Sequence, residues 1–309
     1  MYTVSNLQST PAHWRHGAVS IGNFDGTHLG HRNLINHLQS EATRVGGPSV
    51  ILTFCPHPIR LLRPDALPPS LTSLERKLEL LTATGVDVCI TYPTTLEMLA
   101  LSPEAFFQSV IVDQLAAHSI VEGPNFHFGR DRRGDTKLLQ TLCQRAGIGL
   151  TIVAPSLSDG EFVSSSRIRT AISEGQMAEA VQMLGYCYQI QGRVVRGARR
   201  GQTIGFPTAN LADVDVMVPA PGVYAGRAIT GGTSHDAAIH IGPNPTFGET
   251  VRKIEVHLLD FTGDLYDQLL SVEFVDRIRG TRRFESADQL ATQLHQDIAE
   301  VRSSLSSNN

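Results

Sequence analysis

The sequence predicts two domains, an N-terminal α/β domain with a parallel sheet and a small C-terminal antiparallel β-barrel with a terminal helix. Over residues 1–185, apolar runs typical of strands alternate with stretches of helical periodicity, which requires crossover connections. Over residues 186–309, short runs rich in Val, Ile, Tyr and Phe lie between glycines and prolines, as in small barrels. A length of 309 residues also suits two domains better than one.

The start of the first domain reads as strand, turn and helix. Residues 17–24 predict a buried strand ending in a glycine-bearing turn, and residues 31–45 predict a helix with one apolar face. Residues 49–54 predict the next strand. The prolines between 56 and 69 predict a loop, because proline removes a hydrogen-bond donor and blocks regular structure.

The rest of this domain continues the alternation. Ser73 is the predicted N-cap of a helix whose Arg76, Lys77 and Glu79 are expected to face solvent. The later elements are alternating strands and helices, predicted at 86–92 (strand), 103–117 (helix), 119–122 (strand), 135–146 (helix) and 149–154 (strand).

In the second domain, glycines and prolines separate short predicted strands, as in a small barrel. Its predicted strands contain the strings YQIQGRVV, GVYAGRAI, AAIHIG, IEVHLLDF and LLSVEFVDRI. An amphipathic helix is predicted over 286–302, and the polar residues 303–309 predict a disordered tail.

Composition excludes several classes of protein. The chain is 41% hydrophobic and 18% charged with a net charge of -4, which argues against a general nucleic-acid or anionic-membrane binder. The N-terminus resembles no signal peptide and no apolar run is long enough to span a bilayer, so we expect a cytoplasmic protein. Four widely spaced cysteines predict buried free thiols rather than a disulfide framework or a zinc site: Cys55, Cys89, Cys143 and Cys187.

The string GNFDGTHLGH at 22–31 lies where the first strand turns into the first helix. Glycines allow close approach of a ligand to the backbone, and the free N–H groups of a helix start suit a phosphate. His28 and His31 are three residues apart, so both can face the same phosphate chain and stabilise charge on a departing pyrophosphate. The alternative is a plain turn with two incidental histidines.

The string SSSRIR at 164–169 opens another predicted helix. Its serines are typical helix caps. Capping does not require the two closely spaced arginines, Arg167 and Arg169, which could bind phosphates. Both roles are compatible with the string.

A second glycine-rich string runs from Gly197 to Asn210 and ends in GFPTAN. Gly197, Gly201 and Gly205 predict a supple loop that can wrap phosphates. Thr208 and Asn210 point the same way in an extended segment, and their hydroxyl and amide oxygens suit Mg²⁺.

Glu255 lies in the strand string IEVHLLDF, where alternation places it on one face with His257 and Leu259. A carboxylate there could accept the proton of an attacking primary alcohol. Taken alone, Glu255 is an ordinary exposed strand residue, and it gains a catalytic interpretation only together with GFPTAN.

Four strings in order, GNFDGTHLGH, TFCPHP, GPNFHFGRDRRGD and SSSRIR, resemble the adenylyltransferase module of the bacterial bifunctional riboflavin kinase/FAD synthetase family. That module is a Rossmann-like nucleotidyltransferase of the HxGH type. The resemblance implies that an FMN phosphate oxygen attacks the α-phosphorus of ATP, so that positioning and charge stabilisation dominate catalysis. It implies ATP contacts at Gly22, Asn23, Asp25, His28, His31, Ser165, Ser166 and Arg169. It implies FMN contacts at Phe54, His57, Pro58, Asn125, Phe126 and Phe128.

The later strings GxxxGFPTAN, PGVYAG, IGPNPTFGE, EVHLLDF and GDLYDQLLSVEFVDRIR resemble a riboflavin kinase domain over most of residues 188–300. The resemblance implies Mg²⁺ at Thr208 and Asn210, and ATP along the loop that carries Gly201 and Gly205. It implies Glu255 as the base for the riboflavin 5′-hydroxyl and His257 as a barrel residue. The expected reactions convert riboflavin and ATP to FMN and ADP, then FMN and ATP to FAD and diphosphate.

Three positions depart from the family pattern. Cys55 stands where a glutamate is common, so it receives no catalytic role. Ser166 replaces a threonine and keeps the hydroxyl. In the family an acidic residue often follows the last arginine of the VEFVDRIR string, whereas this chain has Arg-Gly-Thr-Arg at 279–282. This difference is expected to affect flavin-loop contacts but not the proposed base or metal ligands.

Two alternatives stay open on sequence alone. Only one module is active in the first, and the other serves as a scaffold. The second is a flavin or nucleotide sensor without turnover, for which Arg130, Arg132 and Arg133 would supply a basic surface. The expected partners are small molecules, and the expected state is a monomer or a weak homo-oligomer.

Overall fold

The chain forms two compact units, each described here by itself. The computed structural model describes residues 2–4, 11–197, 201, 205–243 and 252–307, with the backbone alone at 2–4 and 287. The first unit contains Met1–Pro69 and Leu74–Val163, and the second contains Ser70–Ser73 and Ser164–Asn309. The strings predicted at 198–200, 202–204 and 244–251 lie outside the described residues.

A six-stranded parallel sheet forms the first unit, as predicted. Its strands, in chain order, are β1 (Tyr2–Val4), β2 (Ala18–Ile21), β3 (Ser49–Cys55), β4 (Val88–Pro93), β5 (Ser119–Glu122) and β6 (Gly149–Ile152). Their spatial order is β1-β4-β3-β2-β5-β6. The strand order therefore reverses between β2 and β5, and ligands of such sheets bind at the carboxyl ends of the strands beside this point.

Helices cover both faces of this sheet. They are α1 (Leu29–Val45), α2 (Pro58–Leu62), α3 (Leu74–Ala83), α4 (Leu96–Leu99), α5 (Pro103–Phe106) and α6 (Thr136–Ala146). Alternate residues of each strand enter different cores. On β3, Val50 and Leu52 pack in one core, while Ile51 packs in the other with Ile35 and Leu38 of α1.

Two predicted elements of this unit were wrong in detail. The predicted loop at 56–69 contains α2, which Pro58 can begin because the first turn of a helix needs no donor there. His57 caps this helix, since its Nδ1 accepts from the Ile59 N–H at 3.2 Å. The helix predicted over 103–117 is α5 followed by a π-helix at Phe107–Gln114. Leu115 N–H donates to Val110 O at 3.0 Å, the longer spacing of a π-turn.

The second unit holds a closed antiparallel barrel, as predicted. Its strands are β9 (Tyr188–Val195), β10 (Ala209–Ala212), β11 (Gly222–Thr230), β12 (Thr233–Gly242), β13 (Lys253–Leu258) and β14 (Leu269–Arg279). They close in the order β10-β13-β12-β11-β14-β9. A two-stranded hairpin, β7 (Leu157–Ser158) and β8 (Glu161–Phe162), ends the first unit, and helices α7 (Ser165–Glu174) and α8 (Met177–Leu184) begin the second.

The terminal helix α9 (Ala287–Ser307) is longer than predicted. The predicted disordered tail was wrong for residues 303–307, because Val301 and Leu305 are buried against Ala225 and Val275 of the barrel. Arg279 also binds the buried Asp297 of α9 through two hydrogen bonds of 2.8 and 2.6 Å. Residues 308–309 lie outside the described part of the chain.

The four cysteines are free, as predicted. Cys89 and Cys143 are buried, whereas Cys55 and Cys187 are only half-buried, so the prediction of burial holds for two of them. The predicted domain boundary at 185/186 falls after α8, and chain contacts group α7 and α8 with the barrel.

Candidate active sites

The turn after β2 carries the first predicted nucleotide site. Phe24 and Thr27 both have positive φ, at 48° and 35°, in the left-handed region that is rare for non-glycine residues. Thr27 N–H donates to Phe24 O at 3.1 Å and holds this conformation. Such backbone strain is concentrated at functional sites. Asp25 is buried beside the turn, with 8% of its surface exposed.

His28 and His31 meet at the start of α1 as predicted. Their rings stack with centroids 3.7 Å apart. His28 caps the helix, since its Nδ1 accepts from the His31 N–H at 3.4 Å. Burial, and then the neighbouring His28 and Lys77, hold the pKa of His31 well below its usual value. The His31 ring is therefore neutral near pH 7, and a phosphate chain would favour its charged form.

Two polar atoms in this turn are buried without a hydrogen-bond partner among the described residues. They are Asn23 Oδ1 and His31 Nδ1. Leaving such atoms unpaired costs about 1–3 kcal/mol each. Two unpaired polar atoms this close to a strained turn indicate a place where a polar ligand completes the hydrogen bonds.

The predicted flavin contacts border the same edge of the sheet. Thr53 Oγ1 donates to Asn23 O at 3.2 Å, which brings the end of β3 against the turn. Phe54 follows and meets Tyr92 edge to face at 6.4 Å. Beyond β5, Asn125 is exposed and the half-buried Phe126 stacks on Phe128 at 5.5 Å. Phe128 is buried in the core, so it supports Phe126 from beneath.

The predicted SSSRIR segment opens α7 in the second unit. Ser164 is the cap, with Oγ accepting from the Arg167 N–H at 3.3 Å. Arg167 binds Glu179 of α8 at 2.8 Å and so joins two helices. Capping and an ion pair therefore account for Ser164 and Arg167. The nucleotide role of Ser165, Ser166 and Arg169 stays a prediction.

The second predicted site is assembled around β10. Phe206 N–H donates to Gly201 O at 2.8 Å, and a Cβ at Gly201 would collide with the Phe206 carbonyl oxygen. The Asn210 amide lies directly over Gly197, where a Cβ would leave it no room. Gly205 has a φ of +86°. The loop and the first residues of β10 thus fold closely together.

Three neighbouring strands place Asn210, Glu255 and His240 in one row. Asn210 pairs with Glu255 between β10 and β13, and His240 pairs with Glu255 between β12 and β13. The alternating strand residues on either side are buried in the barrel interior, so these three project from its outer face. His240 Nδ1 lies 3.4 Å from Glu255 Oε2.

A cavity of about 370 Å³ opens beside Thr208. Its lining includes the aromatic side chains of Phe261 and Tyr266, and the Arg196 guanidinium lies 5.1 Å above the Tyr266 ring. Asn210 and Glu255 are not among its lining residues. Asp264 Oδ1 accepts from the Tyr266 N–H at 2.9 Å and so supports the turn that precedes β14.

Comparison with known families shows to which family the chain belongs. The model of the FAD synthetase family matches residues 10–167, and that of the riboflavin kinase family matches residues 184–305. A bifunctional riboflavin kinase/FMN adenylyltransferase of Escherichia coli is 36% identical over 95% of this chain and 94% of its own length. The chain belongs to this bifunctional family. The enzyme phosphorylates riboflavin to FMN and adenylylates FMN to FAD with ATP.

A second relative supports this assignment, and one solved structure shares the fold. The bifunctional riboflavin kinase/FMN adenylyltransferase of Pseudomonas fluorescens is 34% identical over 98% of this chain and 97% of its own. A solved structure described as a macrolide-efflux protein from Streptococcus pneumoniae is 30% identical, covers 97% of this chain and 98% of its own, and superimposes with a TM-score of 0.85. Within the described part of this chain, no helix is long and apolar enough to cross a membrane.

Lys77 of the enzyme is not a solvent-facing residue, contrary to the prediction. Burial lowers the pKa of Lys77, while the neighbouring charge of Asp25 opposes this shift. Its charge in turn contributes to the lowered pKa of His31. Lys77 is thus a cationic neighbour of the predicted adenylyl site. Its place in α3 carried no motif that would have identified it.

Glu122 is a second residue that the motifs missed. It ends β5, only 3% of its surface is exposed, and its Oε1 accepts from the Ile21 N–H at 2.6 Å. The pairing of β2 with β5 stops at Val19, so this bond links the two strands where they separate. Burial raises the pKa of Glu122 well above its usual value, although the N–H groups of Ile21 and Gly123 oppose the shift.

We expect Glu122→Gln to make the stability of the first unit less dependent on pH. The native state holds a proton that the unfolded chain releases above the ordinary glutamate pKa, so wild-type stability falls as pH rises from about 4.5 through the raised native pKa. Urea unfolding at pH 5 and pH 8 measures this. Relative to wild type, Glu122→Gln should be more stable at pH 8 than at pH 5. Glu97→Gln, at an exposed position, should show no such difference. Equal differences at both pH values would contradict a buried neutral carboxyl.

The basic cluster behind the sensor alternative is partly neutralised. Asp131 lies 3.8 Å from Arg130 and 3.7 Å from Arg133, and all three side chains are exposed. The Arg132 carbonyl approaches His127 Nδ1 at 3.2 Å. These contacts are those of a solvated loop, and the family assignment gives the sensor alternative no support.

Proposed function

We propose that the adenylylation of FMN takes place at the turn after β2 and uses His28 and His31 to stabilise charge on the leaving diphosphate. The observation that carries this proposal is the buried His31 Nδ1, which has no hydrogen-bond partner among the described residues. The phosphates of ATP would supply acceptors for the histidine, and the N–H groups at the start of α1 would add further donors.

The FMN phosphate is already ionised, so this site needs no strong base. Its task is to hold an FMN oxygen opposite the leaving diphosphate and to balance negative charge. Lys77 is close enough to His31 to lower its pKa, and it is proposed to contribute positive charge to this site. Ser165, Ser166 and Arg169 are proposed to complete the ATP contacts.

The flavin ring is proposed to lie beside Phe54 and Phe126, at the edge where the strand order reverses. Phe126 is half-buried and held in place by its stack on Phe128. His57 and Pro58 begin α2 and shape the border of this region. Cys55 replaces a common carboxylate there, and the half-buried thiol is given no chemical role.

Riboflavin phosphorylation is proposed to use Glu255 as the base for the 5′-hydroxyl. Removal of that proton by a positioned carboxylate strengthens the attacking oxygen. The cavity beside Thr208 has the aromatic lining that suits a ring of either substrate. The loop with Gly201 and Gly205 is proposed to cradle the phosphates.

Thr208 and Asn210 fit Mg²⁺ in donor chemistry. Magnesium prefers oxygen ligands and keeps several waters, so a hydroxyl and an amide oxygen suffice from the protein. Gly197 allows the Asn210 amide to pack directly against the backbone of the loop, which a side chain there would prevent. When bound, the ion would neutralise charge on the ATP phosphates. His257 holds this segment, since its Nδ1 lies 2.7 Å from Pro207 O.

We expect Thr208→Val to raise the magnesium concentration needed for FMN formation at least about tenfold, because the hydroxyl is lost while the volume is kept. Purified enzyme is incubated with riboflavin and ATP over a magnesium series, and flavins are separated by chromatography over time. Thr208→Ser should stay close to wild type. An unchanged magnesium requirement in Thr208→Val would contradict the assignment.

The same time course tests the order of the two reactions. FMN should appear first and then convert to FAD. FMN that accumulates without FAD would direct attention to Cys55 and the flavin edge of the first unit.

A cytoplasmic location, small-molecule partners without nucleic acid or membrane, and a monomer or weak homo-oligomer stay predictions from the sequence.

A further inference from the structure

His240 stands beside Glu255 without being part of any motif. The two residues are register partners on β12 and β13, and Nδ1 and Oε2 are 3.4 Å apart. Both side chains are largely shielded, with 24% and 18% of their surfaces exposed. Because adjacent strands lie about 4.8 Å apart, the backbone register of β12 and β13 holds these two side chains next to each other.

The contact is incomplete in this structure. His240 Nδ1 is buried and forms no hydrogen bond with any described residue. Its distance to Glu255 Oε2 is short enough for a hydrogen bond, but the two groups are not aligned for one. Catalytic hydrogen bonds are often long in ligand-free enzymes and tighten in the substrate complex. Buried polar groups in proteins are nearly always hydrogen-bonded, so we expect this ring nitrogen to form a hydrogen bond with the neighbouring carboxylate.

We propose that His240 is a positioning residue for the kinase reaction, which holds Glu255 Oε2 through Nδ1–H and thereby orients the carboxylate toward the riboflavin hydroxyl. This inference rests on the proposed role of Glu255 as the base. Asn210 is the register partner of Glu255 on the other side, so Glu255 lies between a proposed magnesium ligand and His240 in the row of strands. A carboxylate that is already oriented loses less conformational entropy when the hydroxyl binds.

The identity of the ring nitrogen gives a sharp test. The amide nitrogen of asparagine is the same number of bonds from the backbone as Nδ1, whereas that of glutamine corresponds to Nε2. The variants are His240→Asn, His240→Gln and His240→Leu, with Asp236→Asn as a control at an exposed position on the same strand. FMN formation is measured at saturating magnesium, and FAD formation from FMN is the second reaction, which all these variants should leave unchanged.

We expect His240→Asn to keep the kinase kcat within about threefold of wild type, and His240→Gln and His240→Leu to lose roughly tenfold, the size expected for a lost hydrogen bond to a charged group. The KM for riboflavin should not change. A merely structural role would favour glutamine over asparagine, because glutamine fills more of the volume. That order, or full activity in His240→Leu, would overturn the proposal.

The double variant separates this inference from the role of Glu255. If His240 acts through the carboxylate, His240→Leu adds no further loss to Glu255→Gln. An additional tenfold loss would assign His240 an independent role and overturn the proposal while Glu255 stands. Full kinase activity in Glu255→Gln would instead refute the base, and the positioning role would fail with it.

Discussion

We expect the replacement of both His28 and His31 by asparagine to abolish FAD formation while riboflavin is still converted to FMN. Each histidine is proposed to stabilise charge on the departing diphosphate, and removal of one such donor typically costs about 10²–10³ in rate. The loss of both should leave adenylylation below about one part in 10³. The two rings stack at 3.7 Å, so they act as a unit and the single variants should each lose most of this effect.

The control is another histidine on the same helix. His37 is exposed on α1, and His37→Asn should leave both reactions unchanged. FMN is supplied directly in the adenylylation assay, so that a slow kinase step cannot mimic the loss. If the double variant also lost kinase activity with its fold intact, the assignment of separate sites would be wrong.

Much of this site could be predicted because its chemistry is local in sequence. Gly22 to His31 lie within one turn and one helix start, so periodicity and capping rules place them together without knowledge of the fold. The strain at Phe24 and Thr27 is different. It comes from hydrogen bonds within the folded turn, and the letters of the sequence show only that glycines are near.

Residues that act through distant neighbours could not be predicted. Glu122 meets Ile21 across 101 positions of chain, and the contact exists only because β2 and β5 are adjacent strands. Helical periodicity placed Lys77 toward solvent, but in the folded domain it is half-buried, and this burial lowers its pKa. His240 and Glu255 are 15 positions apart and meet only through strand register.

The terminal helix shows a second limit. Composition favoured disorder after residue 302, since serines dominate there. Leu305 alone carries the apolar signal, and its burial against the barrel outweighs the polar neighbours. Where tertiary packing stabilises a helix end, local propensity is a weak guide.

Glu255→Gln should lower the kinase kcat by about 10²–10⁴ while FAD formation from supplied FMN is unchanged. A positioned general base contributes a factor of this size, and glutamine keeps the shape of the carboxylate while removing its basicity. The KM for riboflavin should change little, because the lost interaction is made as the proton moves and not in the ground state.

The matched control is Glu300→Gln, which neutralises an exposed carboxylate on α9. Its kinase and adenylylation rates should equal those of wild type. The comparison decides between two interpretations of a carboxylate in this row. If Glu255 serves only to repel or orient water, the loss should stay below tenfold and glutamate should be replaceable by glutamine. If it removes the proton, Glu255→Asp should recover part of the rate that Glu255→Gln loses, since the shorter side chain keeps the base and sacrifices only its position.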